Sequence, residues 1–134
     1  MSFDVFAAYA TDEKKENEGV EISLGGGATM TVARMPSEKY SKVLVERHEA
    51  NQEMMRGLSK EQADKLDRDT FITVLADTVL LDFKGVSYKG KALKYNRENA
   101  IKLLQIKDFR VKVITEAQNL DNYRVKLDGD DAGN

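Results

Sequence analysis

The apolar positions of this chain change period several times, and the changes predict its elements. Phe3 and Phe6 share a helical face in FDVFAAY, enough for a turn or two, before a polar run TDEKKENEG that reads as an exposed loop stopped by Gly19. From Val20 the period is two. Val20, Ile22 and Leu24 alternate with polar neighbours, and Ala28, Met30 and Val32 do the same after Gly25-Gly26-Gly27. Two alternating runs around a glycine loop predict a β-hairpin with one buried face.

Helical spacing returns after Pro36-Ser37, where Ser37 is a good N-cap and Tyr40, Val43, Leu44, Met54, Met55 and Leu58 form one stripe up to the break at Gly57. Ser59 and Gln62 then make a capping box. The helix they open is expected to run to about Leu81, roughly 30 Å at 1.5 Å per residue. Its first half is charged and its second half nearly all apolar, so the second half should enter the core. Lys89-Gly90, between Val86/Tyr88 and Leu93/Tyr95, is consistent with a second short hairpin or an ordered aromatic loop. Asn96 is expected to cap a short helix and Asp108 a last one, with Phe109, Val113, Ala117 and Leu120 inward and Tyr123 near its end.

The fold class expected is α+β and mainly helical: about four helices, an N-terminal β-hairpin and room for a second small hairpin. Residues 1–127 are expected as one globular domain, and 128–134 as a disordered acidic tail. A chain of 134 residues buries about two-thirds of its unfolded surface, so no disulfide or metal is needed for a core. It has no cysteine, and its single histidine, His48, cannot build a common zinc site alone. The glycine run GGGAT lacks the lysine and the following helix of a phosphate loop. Asp64, Asp67 and Asp69 alternate with Lys65 and Arg68, the pattern of a solvated face. No stretch is apolar enough to span a membrane, and the first residues lack the basic start of a secretory signal. No catalytic residue, cofactor or metal is expected.

The net charge of −2 hides an asymmetry: residues 82–127 carry eleven basic and five acidic side chains, whereas residues 1–36 carry three basic and six acidic. A basic third can steer toward phosphate or an acidic partner. The acidic overall balance favours a solvated surface over a nucleic-acid site built on Lys84, Lys89, Lys91, Lys94 and Arg97 with Tyr88 and Tyr95 between them.

FDVFAAYATDEKKENEGVEISLG, TMTVARM, LADTVLLDFKGVSYKGKALKYNRENAIKLL and FRVKVITEAQNLDNYR together resemble the tail assembly chaperones of long-tailed bacteriophages, from about Phe3 to Tyr123. The third segment carries most of the likeness: a leucine-rich helix, an Asp-aromatic-x-Gly-Val step, a Gly-Lys turn and a tyrosine before the next cap. This chain has Phe83 where tryptophan is expected, and a shorter, more basic turn. The resemblance implies a non-enzymatic protein of the host cytoplasm, absent from the mature virion. It would hold the tape measure protein, help recruit the major tail protein, and self-associate as a homo-oligomer. Many such proteins also exist in a longer, frameshifted form, and the short acidic tail fits the shorter one. Candidate partner-binding residues are Phe83, Tyr88, Tyr95, Lys89 and Lys91 in the aromatic turn, the pair Met54 and Met55, and Phe3 and Phe6. The alternatives are a small structural component of the virion, of connector or tail-tube type, or a nucleic-acid module on segment 84–97.

Overall fold

A computed structural model describes residues 2–127; the expected acidic tail at 128–134 lies outside the described residues. The elements in order are α1 (Val5–Tyr9), α2 (Glu13–Glu18), β1 (Val20–Gly25), β2 (Ala28–Val32), α3 (Glu38–Met55), α4 (Lys60–Thr78), β3 (Leu80–Lys84), β4 (Ser87–Tyr88), β5 (Lys91–Ala92), α5 (Arg97–Leu104) and α6 (Lys107–Gln118). A 3₁₀ turn follows at Leu120–Asn122. The class is α+β and mainly helical.

The hairpin forms as its alternation predicts, with Ile22 opposite Met30 and Val20 opposite Val32. It gains a third strand. β2 is central in an antiparallel sheet of order β1-β2-β3, and Val32 pairs with Leu80 while Met30 pairs with Phe83. The expected continuation of α4 to Leu81 is therefore corrected: the helix ends at Thr78, with Val79 as its C-cap. The pairing explains why the strand looks helical in sequence. The register shifts between Thr31 and Val32, leaving Leu81 as the extra residue of a bulge. Leu80 and Phe83 both enter the core although they are three residues apart, a helical spacing carried by a bent strand.

Two further expectations are corrected. Residues 13–18 form α2 rather than a loop. This helix has no apolar stripe and stands on its ends: Asp12 accepts from the Lys14 and Lys15 amides, and Gly19 closes it at φ +88°. A Cβ on Gly19 would lie 2.8 Å from Thr31 Cγ2. The N-cap of α6 is Ile106, with no side-chain cap bond, and Asp108 instead sits in the first turn, where a carboxylate suits the helix dipole. The chain's start is tied to residues 123–125: the Asp12 amide donates to Tyr123 O at 2.8 Å, the Val125 amide to Ala10 O at 3.0 Å, and Arg124 Nη2 to Ala7 O at 2.7 Å.

The capping box of Ser59 and Gln62 is present in both directions. Beyond it the second half of α4 enters the core, with Ile72, Val74 and Leu75 fully buried. They meet Met30 and Val32 of the sheet, Leu104 of α5 and Val113 of α6 in one cluster. The peptide bond between Met35 and Pro36 is cis.

Tyr123 closes this core. It has no exposed surface, and its hydroxyl donates to Val32 O at 2.9 Å. Burial pushes the phenol well above its ordinary range, so it stays a donor at any working pH. Tyr123→Phe removes that buried bond to Val32 O. The expected cost is about 1–2 kcal/mol in urea unfolding at neutral pH.

Candidate partner-binding surfaces

The long helices are aligned by one carboxylate. Asp77 on α4 accepts from Arg47 Nη2 on α3 at 2.6 Å, and from Arg97 Nε and Nη2 at the start of α5 at 2.7 and 3.1 Å. Partial burial pushes the Asp77 pKa up, but the hydrogen bonds and charges of Arg97 and Arg47 together outweigh it and hold the carboxyl below its ordinary range. Arg47 Nη1 also donates to Thr73 Oγ1, and Asn51 Nδ2 to Thr70 Oγ1, so that α3 is held on α4. The Arg97 bonds fix α5, which starts at its Asn96 cap, against α4.

With α5 so placed, an open groove of about 710 Å³ remains at the far end of the sheet. One wall is the end of the hairpin, with Leu24 and Ala28; the other is Leu103, Ile106 and Phe109 from the α5–α6 corner, and Gly85 to Lys89 cross between them. The volume lies within the ~300–1,000 Å³ typical of binding clefts. Gly85 permits the close crossing: its φ is +69°, and a Cβ there would come 3.3 Å from Ala28 Cα. Tyr88 stands at the edge of the groove. Lys102 lies over its ring at 4.8 Å from the centroid and Lys89 at 5.5 Å, so the aromatic rim is basic. Lys89 and Gly90 both take positive φ, +50° and +82°, as a two-residue hairpin turn requires; Ser87 pairs with Ala92 across it.

The second surface is α1. None of its residues is buried, and Phe3, Val5, Phe6 and Tyr9 are 61–70% exposed. The Phe3 and Tyr9 rings sit 6.2 Å apart. Elsewhere Val45, Met54 and Val111 are at least half exposed.

The structure sorts the candidate residues. Phe3, Phe6 and Met54 are exposed, Met55 is half-buried, Lys89 and Lys91 are exposed, and Tyr88 is half-buried on the groove. Phe83 is a core residue, 3% exposed, because β3 turns it inward. Tyr95 packs edge-on against it at 5.3 Å and donates its hydroxyl to Leu80 O at 3.2 Å. Phe83 therefore presents no face to a partner, which corrects its placement in an exposed aromatic turn. Leu24, Leu103, Ile106 and Phe109 were not read as a partner surface, because a wall built from three separate elements leaves no local pattern. Tyr9 was legible as the next step in the Phe3, Phe6 spacing.

His48 is exposed, with Nδ1 4.0 Å from Asp67 Oδ1. Among the described residues no group of three or more His, Cys, Asp or Glu is placed to hold a metal, and no helix is long and apolar enough to cross a membrane.

Residues 35–134 match the family described as YdaY prophage protein, about three quarters of the chain. The chain belongs to the YdaY prophage protein family. It is thus a phage-derived protein. No curated protein and no solved structure matches it. The YdaY match spans the Gly85–Lys89 crossing and the α5–α6 corner, and the Asp77 carboxylate that positions them; α1 precedes the matched region.

Asp77→Asn loses the charge that both arginines share. The expected cost at neutral pH is about 1–2 kcal/mol, the lower end for charged hydrogen bonds because Arg97 is washed by solvent. A carboxyl whose pKa falls on folding contributes fully above its unfolded value of about 4. That contribution disappears as pH drops through the lower folded value. Urea titrations should therefore show a full gap between wild type and Asp77→Asn above about pH 5 that closes in stronger acid.

Proposed function

We propose that this YdaY-family protein is a non-enzymatic assembly chaperone for phage tails. It binds the tape measure protein in the host cytoplasm, helps recruit the major tail protein, and leaves before the tail is complete. The observation that carries the reading is the amount of large apolar surface left outside a well-formed core. Phe3 and three side chains of α1, Val5, Phe6 and Tyr9, stand exposed while α1 buries none, Met54 is 57% exposed, and the groove beside Ile106 stands open. Monomeric soluble proteins rarely leave contiguous apolar patches of more than a few hundred Å² without an interaction to serve. Aromatic and methionine anchors of this kind suit amphipathic helices, which a long helical client supplies repeatedly. The resemblance of the leucine-rich helix, the Gly-Val step and the Gly-Lys turn to phage tail chaperones supplies the identity of that client.

A virion component remains the main alternative. The nucleic-acid alternative is weakened by where its residues sit. Arg97 is committed to Asp77 and Tyr95 is packed on Phe83, so neither its strongest cation nor its second aromatic is free to meet a strand.

Co-expression with the tape measure protein of the same phage tests the proposal. The tape measure protein should become soluble and co-purify with the chain, and purified virions should lack the chain by mass spectrometry. An insoluble client that never co-purifies contradicts the chaperone reading; stoichiometric presence in virions favours the structural alternative.

A further inference from the structure

The exposed helix and the open groove complement one another, and the geometry points to a contact between copies: α1 of one chain docks into the groove of a second. This goes beyond the chaperone reading and draws on the same α1 and groove, for which a second copy and a client would compete. Phe3, just before the N-cap, and Phe6 and Tyr9 on α1 recur at three-residue steps and stand in solvent, while α1 rests on its own chain only through its Ala7 side. The spacing is that of the anchors by which a helix fills an apolar groove. The groove has the matching character, with Leu24, Val86, Leu103, Ile106 and Phe109 on its walls.

The contact is between chains, not within one. α1 is held in place by the bond from Arg124 Nη2 to Ala7 O and by the Val125 amide on Ala10 O, and no residue of α1 lines its own groove.

Charge complementarity selects the second copy as occupant. Between Phe3 and Ala10 the one charged side chain is Asp4, while Arg124 and Lys15 sit at Ala7. The groove is bordered by exposed Lys89 and Lys102 at Tyr88, by Lys84 before Gly85 and by Lys107 after Ile106. The aromatic side chains with Asp4 between them thus face a basic apolar socket, an arrangement that speeds encounter and fixes orientation. The size is adequate. Three aromatic side chains bury roughly 450–750 Å². With the opposing wall, the contact reaches about 1,000 Å², where specific interfaces begin. In such an assembly Val45 and Met54 on α3 remain uncovered for other partners.

The test uses the full chain, which has no native cysteine. Analytical ultracentrifugation across a concentration series should show reversible self-association that weakens as salt is raised. Phe6→Asp and Ile106→Glu, both at exposed positions, should each weaken it at least tenfold while leaving the circular dichroism spectrum and melting temperature near wild type. Phe6→Cys mixed with Ile106→Cys should give a covalent dimer with a short bis-maleimide, far more than either variant alone. A chain that stays monomeric at high micromolar concentration overturns the inference. So does self-association unaffected by both substitutions, or a mixture that cross-links no better than its components. If both substitutions leave self-association intact but abolish co-purification of the tape measure protein, the groove receives the client's helix, and the inference fails while the chaperone reading stands.

Discussion

A buried backbone segment, Val32 to Met35, organises this protein. Val32, Ala33 and Met35 are buried and Arg34 half-buried, and buried backbone polar groups must find partners. They find them on elements far apart in sequence. The Tyr123 hydroxyl donates to Val32 O, the Ala33 amide to Val79 O at the end of α4, the Arg34 amide to Glu16 O on α2, and the Met35 amide to Ala117 O on α6. Four parts of the chain are positioned by one extended tetrapeptide. The constraint reaches both ends, because Tyr123 O in turn accepts from the Asp12 amide and so brings residues 10–12 alongside 123–125.

That junction decides what is left for the surface. With β2 occupied on both edges by β1 and β3, and its inward face covered by Met30 and Val32 packing on α4, the sheet's central strand has no edge to offer a partner. Asp77 sets α5 against α4 through Arg97, and the corner between α5 and α6 then stands away from the end of the hairpin, leaving the groove. At the other end, the same hydrogen bonds that anchor residues 10–12 hold α1 outward with its aromatic side chains in solvent. Core and binding surface thus come from one set of constraints. The rigid interior fixes the places where apolar side chains cannot be buried by this chain alone.

The elements whose signals are local were readable from the sequence: the alternating hairpin, Ser37 and Asn96 at helix starts, the Ser59–Gln62 capping box, and the Lys89-Gly90 turn. What was not readable depended on partners distant in sequence. β3 kept a helical spacing of apolar residues because a bulge at Leu81 replaces strict alternation, and only pairing with β2 reveals it. The charged helix α2 has no apolar face, and its reasons for existing are its two caps and the seat its Glu16 carbonyl gives the Arg34 amide. Among the candidate surfaces, Phe3, Phe6, Met54 and Tyr88 were found because their residue types stand out against polar neighbours. Phe83 looked exposed for the same reason and proved to be core, while Ile106 and Phe109 are ordinary helix residues until the corner between α5 and α6 sets them beside Leu24.

The apolar surface left outside an interior closed by Tyr123 is where the proposed client should bind. Amide hydrogen exchange of the chain, free and in complex with the tape measure protein, tests it most directly. The account predicts slowed exchange on binding in segments that carry exposed apolar side chains: residues 3–10, the Gly85–Lys89 crossing, the Ile106–Phe109 corner or the end of α3 at Met54. Amides of β2 and the second half of α4 should already be slow in both states. Protection confined to the charged first half of α4 would contradict the account, as would a complex in which none of the apolar segments changes.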